Sequence, residues 1–401
     1  MTERARVNPD DAAERADTGF SGESCEFAGM NLDDAAERAD TGFSGESCEL
    51  TGMTLQEITD WAKGAGYPAF RGKQIFRWIH QGRDFEEMTN LPADMRRALA
   101  EKCVAQPVKI MLNRVSAIDG TVKFLFRLRD GNCVEGVLMR YQYGISLCIS
   151  TQVGCRMGCK FCASTLEGCI RNLSAGEMLG EVLAANRFLE DNGEKDSRVS
   201  HVVLMGSGEP LDNYDQVMKF LRLLREEEGI RISLRNVSLS TCGLVPEMRA
   251  LAEEDLPVTL CVSLHAPNDE IRRKTMPIAN RYSMEEVLEA CRNYIRKTGR
   301  RVIFEYAMVD GVNSGEEHAA ELAERLRGMQ CHVNLIPLNE VKERNLRGVR
   351  EDTVRRFLKA PESRHISATR RREMGDDIEG ACGQLRRRTI EEERKNGNVA
   401  L

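Results

Sequence analysis

The chain has 401 residues, of which 41% are hydrophobic and 30% are charged, so a sizeable core is possible and complete disorder is excluded. No segment reaches the roughly 18 to 20 uncharged apolar residues that a membrane helix needs, and the polar residues 1–17 show no export signal. We therefore expect a cytoplasmic protein without a membrane association, in which the 14 cysteines indicate metal binding or catalysis before disulfides.

The net charge of −6 conceals two segments of opposite sign. Residues 1–53 contain 13 acidic and 4 basic residues, whereas residues 341–389 contain 14 basic and 8 acidic residues. A basic stretch is most often a solvated protein face, but it can also contact the phosphates of a nucleic acid. The charge alone does not decide between these two interpretations.

A tandem repeat occupies the acidic N-terminal segment. Residues 10–26 recur letter for letter at 33–49. Two copies are too few to stack as a solenoid, and each copy is acidic and contains Gly and Ser. We therefore predict that residues 1–53 are a disordered extension, and that a chain starting at Met53 folds and functions normally.

Three amphipathic segments follow this extension. Thr54, with Glu57 at the capping-box position, predicts the start of a first helix. Two further helices are predicted around Phe70–Ile79 and Leu91–Glu101. Residues 54–103 should therefore form a small all-helical accessory domain, which is either a packed bundle with basic solvent faces or a nucleic-acid contact.

Strand and helix patterns alternate after a linker or β region at residues 104–140. The alternation fills residues 141–389, and residues 390–401 form a tail. Six strands are predicted, at Ile145–Thr151, His201–Gly206, Asn236–Thr241, Val258–Leu264, Arg301–Val309 and Val333–Pro337. Five helices are predicted between them, at Ala175–Asn192, Tyr214–Glu228, Val245–Glu254, Met284–Thr298 and Glu316–Met329. This pattern predicts an α/β fold with a parallel sheet or barrel, whose active residues lie at the carboxyl ends of the strands.

A compact cysteine motif follows the first of these strands. Cys155, Cys159 and Cys162 form a C-x3-C-x2-C run. Three thiolates so close together can hold three corners of a [4Fe–4S] cluster and leave the fourth iron open to another ligand. A structural zinc site completed by His201 or His265 is the alternative.

The cysteine motif, together with the Gly206–Pro210 sequence GSGEP after the next strand, resembles the radical SAM superfamily, in which the open iron binds S-adenosylmethionine (SAM). Further segments resemble the RlmN/Cfr family of RNA methyltransferases, namely Ser146–Cys155, Gly168–Leu173, Leu239–Gly243, Val262–Asp269, Asn334–Asn339 and Gly375–Leu385. The resemblance covers residues 54–388. It implies a partial (β/α)6 radical SAM barrel behind a small N-terminal all-helical domain.

The resemblance also assigns roles to individual residues. It implies that Cys382 is the cysteine that becomes methylated, that Cys148 resolves the adduct by forming a disulfide with Cys382, and that Glu135 accepts a proton. Without the resemblance, Cys148 would be read as a core residue, Cys382 as a bystander and Glu135 as a surface carboxylate. The cluster ligands would be the three cysteines of the motif. The implied SAM contacts are Gly208, Glu209, Ser240, Ser263, Leu264, His265 and Asn339.

The function implied by the resemblance is methylation of C2 of a specific adenosine in 23S rRNA, and also of the adenosine 3′ of the anticodon in tRNA. Two SAM molecules would be consumed, and an electron donor such as flavodoxin or ferredoxin would reduce the enzyme. The enzyme would be a monomer. Two alternatives stay open. The same residues serve the sister reaction at C8 of the base, and a non-catalytic iron–sulfur protein that binds RNA as a redox sensor would need the cluster alone.

Overall fold

A ten-stranded mixed sheet dominates the computed structural model, which describes residues 48–338 and 346–378. The strands are β1 Cys48–Glu49, β2 Cys103–Val104, β3 Val108–Val115, β4 Val122–Leu128, β5 Cys133–Tyr141, β6 Gly144–Ile149, β7 Gln152–Gly154, β8 Cys169–Asn172, β9 Val199–Leu204, β10 Val237–Thr241, β11 Thr259–Ser263, β12 Val302–Met308, β13 Cys331–Pro337 and β14 Ser367–Arg370. The helices are α1 Leu55–Gly64, α2 Phe70–Ile79, α3 Ala93–Lys102, α4 Ala175–Asp191, α5 Tyr214–Leu224, α6 Val245–Glu253, α7 Asp269–Thr275, α8 Met284–Thr298, α9 Glu316–Arg325 and α10 Glu351–Ser363. Within these residues, no helix is both long and apolar enough to cross a membrane.

The sheet is parallel over most of its width. Its strand order is β14-β13-β12-β11-β10-β9-β6-β5-β4-β3. The six strands expected from the sequence, β6 and β9 to β13, are parallel neighbours in chain order, and β14 adds a seventh. Strands β3 and β14 form the two edges, so the barrel is open. The expected α/β class and the partial barrel are confirmed.

The region predicted as a linker or β segment extends this sheet. Strands β3, β4 and β5 form an antiparallel meander, and β5 pairs with β6. Strand β5 is buried along most of its length and lies between two other strands of the sheet. The meander therefore places residues of β4 and β5 beside the first parallel strand.

The accessory helices α1 to α3 pack onto the barrel. Helix α1 begins at Thr54 as predicted, because Thr54 Oγ1 accepts the Glu57 N–H at 3.2 Å and Glu57 Oε2 accepts the Thr54 N–H at 2.6 Å. Arg83, just after α2, donates to both carboxylate oxygens of Glu190 on α4, at 2.8 Å each. A continuous apolar core runs from these helices into the barrel.

The described part of the chain begins at residue 48, five residues before the boundary at residue 53 that the sequence predicts for the N-terminal extension. Residues 1–47 lie outside the described part of the chain, but Cys48–Glu49 form strand β1, which pairs with β2, and Leu50–Gly52 form a 3-10 turn. Leu50 and Thr51 have no exposed surface, and Thr51 Oγ1 donates to the Ala105 carbonyl at 2.6 Å. The acidic composition of the repeat conceals this short apolar segment, because its one large apolar side chain contributes little to the average.

Removing residues 1–52 should therefore destabilise the protein, contrary to the expectation from sequence. Burial of a leucine side chain contributes about 1.5–3 kcal/mol, and the Thr51 hydrogen bond contributes about 1 kcal/mol. We expect a chain that starts at Met53 to melt at a lower temperature than one that starts at Gly45. Leu50→Ala in the full chain should reproduce most of the loss, and equal melting temperatures would show that this segment contributes nothing.

Candidate active site

The carboxyl ends of the parallel strands bring the predicted site residues to one edge of the sheet. The cysteine motif follows β6, the Gly206–Pro210 turn follows β9, Ser240 lies next to the end of β10, and Ser263 ends β11. Because these strands are parallel neighbours, their carboxyl ends are adjacent. Asn339 and Cys382 lie outside the described residues.

A short hairpin holds the loop that carries the cysteine motif. Strands β7 and β8 pair in an antiparallel manner and enclose the loop between them. The Cys155 N–H donates to the Gly168 carbonyl at 2.8 Å. Thr165 Oγ1 contacts the carbonyls of Cys159 and Cys162 at 3.0 and 2.9 Å. The backbone of the loop is therefore fixed at its base and at its centre.

The three thiols lie close together in a largely dry environment. Cys155 and Cys159 are buried, and Cys162 is half-buried. Burial and the neighbouring Cys162 raise the pKa of the Cys155 thiol, and the same two causes raise the pKa of Cys159 to about 12. Three thiolates can coexist here only if a cation compensates them, so this donor set fits an iron–sulfur cluster.

The geometry does not favour a zinc ion at the same place. In the described part of the chain, no three His, Cys, Asp or Glu side chains are arranged to hold one metal ion. His201 is the third residue of β9, several residues before the turn at the carboxyl end of that strand, and its Nδ1 contacts Ser200 Oγ at 2.9 Å. His265 Nδ1 already accepts the Ala307 N–H at 2.8 Å. A [4Fe–4S] cluster is larger than a single ion, so its ligands stand further apart.

The turn after β9 requires glycine and carries a buried carboxylate. Gly208 has a φ of +108°, and a Cβ there would lie 2.7 Å from the Gln152 backbone nitrogen. The Glu209 carboxylate accepts the N–H groups of Leu211 at 3.0 Å and Cys242 at 2.7 Å. Burial raises the pKa of Glu209 to about 7. A buried carboxylate beside the cysteine loop can bind a cationic group such as an ammonium.

A neutral histidine just after β11 faces the cysteine loop. His265 has a φ of +53°, and burial lowers its pKa to about 3, so the ring is uncharged. Since Nδ1 accepts the Ala307 N–H, the ring proton resides on Nε2. The Phe161 ring of the cysteine loop contacts the imidazole edge-on, with centroids 4.7 Å apart. Leu264 is fully buried, and its N–H donates to the Glu305 carbonyl at 3.1 Å.

A second group of reactive side chains lies on the β4, β5 and β6 strands. Lys123, Val137 and Cys148 are direct partners across the three strands, so their side chains share one face of the sheet with Glu135. Cys148 is buried and packs against Val137 and Met139. Lys123 Nζ lies 3.2 Å from Glu135 Oε2. Glu135 and Cys148 are therefore neighbours on the sheet, although the sequence separates them by 13 positions.

Hydrogen bonds connect this group to the turn after β9. Ser150, which follows β6, donates through Oγ to the Glu135 carbonyl at 3.0 Å. The same oxygen accepts the Ser207 N–H at 3.0 Å. Cys148, Glu135 and the Gly206–Pro210 turn thus belong to one continuous arrangement.

Sequence reasoning missed two charged residues of this site. Lys123 has no exposed surface, and no motif in the sequence indicated it. Glu305 is buried on β12, and its Oε2 accepts the Asn334 Nδ2 at 2.9 Å. Burial raises the pKa of Glu305. Its signal was visible, because a carboxylate inside an otherwise apolar parallel strand needs a partner.

Comparisons with known proteins agree with this geometry. Residues 149–326 match the family model of the radical SAM superfamily, and residues 48–105 match that of the ribosomal RNA large subunit methyltransferase N-terminal domain. A Clostridium perfringens protein named probable dual-specificity RNA methyltransferase RlmN is 52% identical over 84% of this chain and 95% of its own length. A protein of the same name from Alkaliphilus oremlandii is 50% identical over 84% of this chain and 96% of its own length.

A solved structure shares the fold over the same extent. The crystal structure of a radical SAM methyltransferase from Sphaerobacter thermophilus superposes with a TM-score of 0.81 and 43% sequence identity. The match covers 84% of this chain and 98% of the other chain. A match of that extent includes more than the parallel strands and their helices.

Proposed function

The chain belongs to the RlmN family of radical SAM RNA methyltransferases, and from this premise we propose that it methylates C2 of a specific adenosine in 23S rRNA and the adenosine 3′ of the anticodon in tRNAs. The observation that carries the proposal is the placement of Cys148 and Glu135 on one sheet face, joined through Ser150 to the turn after β9. An RNA-binding redox sensor would need the cysteine loop alone.

The family implies a [4Fe–4S] cluster and SAM as cofactors. Cys155, Cys159 and Cys162 would hold the cluster, which together with SAM supplies a 5′-deoxyadenosyl radical. The proposed SAM contacts are Gly208, Glu209, Ser240, Ser263, Leu264, His265 and Asn339. Among them, the buried carboxylate of Glu209 suits the methionine ammonium, and His265 offers an Nε2–H donor.

The protein's own side chains carry the methyl group and release it. Cys382 takes a methyl group from a first SAM by displacement. After one hydrogen atom is removed from that methyl group, its carbon adds to C2 of the adenine and tethers the RNA to the protein. The radical adduct would then return one electron to the iron–sulfur centre, and Glu135 would accept its ring proton. Cys148 attacks the Cys382 sulfur, so that the bond between this sulfur and the carbon breaks and a Cys148–Cys382 disulfide forms. The released carbon takes up a proton and stays on the base as a methyl group.

The buried setting of Glu135 and Cys148 suits these roles. Glu135 is only 7% exposed, and the Lys123 ammonium gives its carboxylate a counter-ion inside the sheet. Cys148 is 6% exposed, which shields its thiol from outside oxidants until Cys382 arrives. No disulfide joins two of the described cysteines. In this proposal the Cys148–Cys382 bond is a transient of turnover.

The proposed partners follow from the reaction. A low-potential donor such as flavodoxin or ferredoxin would reduce the cluster and the disulfide of a monomeric, cytoplasmic enzyme. Splayed single-stranded bases are the usual targets of sequence-specific RNA recognition. The accessory helices and the basic stretch at residues 341–372 would hold the RNA backbone. Residues 341–345 of this stretch lie outside the described chain.

Mass spectrometry of nucleosides tests the proposed product directly. Digested 23S rRNA and tRNA from cells that lack the gene should have lost 2-methyladenosine, and the intact gene on a plasmid should restore it. Loss of 8-methyladenosine instead would assign the C8 reaction. Unchanged levels of both nucleosides would contradict a methyltransferase function and favour an RNA-binding sensor.

A further inference from the structure

An arginine that forms no ion pair with any described residue is buried directly beside the cysteine loop. Arg272 on α7 has no exposed surface. Its Nη2 donates to the Cys242 carbonyl at 2.6 Å, whereas Nε and Nη1 find no hydrogen-bond partner among the described residues. A guanidinium stays protonated in proteins, so this side chain is a buried positive charge with two unused donors.

Such an arrangement is costly unless an anion completes it. Buried charges are normally paired, and buried polar groups are normally hydrogen-bonded. The protein nevertheless makes room for the guanidinium, because position 243 is a glycine with a φ of +102°, where a Cβ would lie 3.2 Å from Arg272 Nη2. This space and the two unused donors indicate that the anionic partner of the guanidinium is not one of the described protein groups.

The surroundings of Arg272 identify the kind of anion. Helix α7 lies against the cysteine loop, because the Lys160 N–H donates to the Thr275 carbonyl at 2.8 Å. Arg272 donates to the Cys242 carbonyl, and Cys242 packs with Cys159 and Met276 in one small cluster, so the guanidinium lies close to Cys159. The group beside Arg272 that would become anionic on binding iron is therefore the Cys159 thiol.

We propose that Arg272 is the internal counter-charge of the iron–sulfur cluster, with its Nε–H and Nη1–H donating to cluster sulfur on the Cys159 side. This inference rests on the proposed cluster at Cys155, Cys159 and Cys162. Three thiolates leave such a cluster anionic, and each added electron increases the negative charge. A buried cation with two hydrogen bonds to sulfur stabilises the reduced form more than the oxidised form, so it raises the reduction potential.

An electron paramagnetic resonance redox titration of the reconstituted full chain tests this role without SAM or RNA. Arg272→Met should lower the equilibrium constant for reduction of the cluster at least tenfold. For one electron this corresponds to a midpoint potential that is more negative by about 59 mV. Arg272→Lys keeps the charge but not the planar pair of donors, so its potential should lie between the two. Arg273→Met is the matched control, since Arg273 is exposed on the same helix, and its potential should equal that of the wild type.

The outcomes separate this inference from the proposed function. A wild-type chain that binds no iron contradicts the proposed cluster itself. If Arg272→Met binds a full cluster with an unchanged potential, the role of Arg272 is wrong although the cluster is real. If Arg272→Lys has the potential of the wild type, the two hydrogen bonds contribute nothing. Should Arg272→Met fail to fold, as judged by circular dichroism of the iron-free chain, Arg272→Gln carries the same expectation. An unchanged potential with weakened SAM binding would place the guanidinium on the SAM carboxylate and overturn the assignment to the cluster.

Discussion

Replacing Cys159 with alanine should remove the iron–sulfur cluster and all SAM cleavage. A cluster with only three protein ligands has none to spare, and Cys159 is the most central of the three, with its carbonyl fixed by Thr165. Anaerobically reconstituted wild-type protein should contain about four irons and four sulfides, and the variant close to none. Production of 5′-deoxyadenosine should fall to background.

Cys169→Ala is the matched control for this experiment. Cys169 lies on β8 beside the cysteine loop, opposite Gly154, and burial raises the pKa of its thiol to about 11. It is a free, half-buried thiol close to the site but outside the motif. We expect this variant to keep its iron and its SAM cleavage. Full cleavage by Cys159→Ala, or loss of iron in Cys169→Ala, would show that the ligands have been assigned incorrectly.

The sequence predicted the repeating βα part of the fold well, because local signals and tertiary packing agree there. Helix α8 was predicted with its observed bounds, Met284–Thr298. Ser283 and Glu286 form a capping box at its start, and Gly299 ends it with a φ of +65°. None of the six parallel strands that were predicted has an exposed residue, so each appears in the sequence as a short run rich in apolar and β-branched residues.

The parts that were missed lack such local signals. Helix α7 has only seven residues, and five of them are charged, so no apolar periodicity was visible. Arg272 is buried because the helix lies beneath the cysteine loop, which only the tertiary structure reveals. Lys123 alternates with apolar residues as a solvent-facing side chain would, yet the sheet places it beside Glu135. In these cases the deciding contact joins segments that are distant in the chain.

The candidate site was predictable mainly where a motif is short and its residues are adjacent. The cysteine motif and the Gly206–Pro210 turn could be recognised from spacing. The proximity of Glu135 and Cys148 depends on the antiparallel register of β5 and β6, in which Val137 faces Cys148. No spacing rule gives that register, because it is set by the turn at residues 142–143 and by burial of β5 between two strands.

Replacing Cys382 with alanine should stop the reaction before the RNA becomes attached to the protein. In the proposed mechanism Cys382 carries the methyl carbon, so its loss removes both the carrier and the atom that forms the tether. Incubation with RNA, SAM and a reductant should yield neither methylated adenosine nor a covalent protein–RNA complex. SAM cleavage without product can continue, since the cysteine loop is intact.

Replacing Cys148 with alanine should instead make the covalent adduct accumulate, because Cys148 acts only after the tether has formed. Cys382 can still accept the methyl group and add to the base, but no thiol remains to attack its sulfur. We expect a covalent protein–RNA adduct, visible as a denaturant-stable band that ribonuclease collapses, and a methylation rate lowered at least a hundredfold, since one thiol–disulfide exchange step is missing. Glu135→Gln should also accumulate adduct, because the tether forms before the ring proton leaves.

Cys331→Ala distinguishes these effects from simple damage to the sheet. Cys331 is a buried thiol at 8% exposure, close to the 6% of Cys148. It is the first residue of β13, so it lies at the amino ends of the parallel strands, whereas the site lies at their carboxyl ends. It should methylate like the wild type and give no adduct. If Cys148→Ala does the same, Cys148 is an ordinary core residue of β6, and resolution of the adduct must come from a different group. An adduct in Cys148→Ala that is absent from both Cys331→Ala and the Cys148→Ala, Cys382→Ala double variant would tie the tether to Cys382 and its release to Cys148.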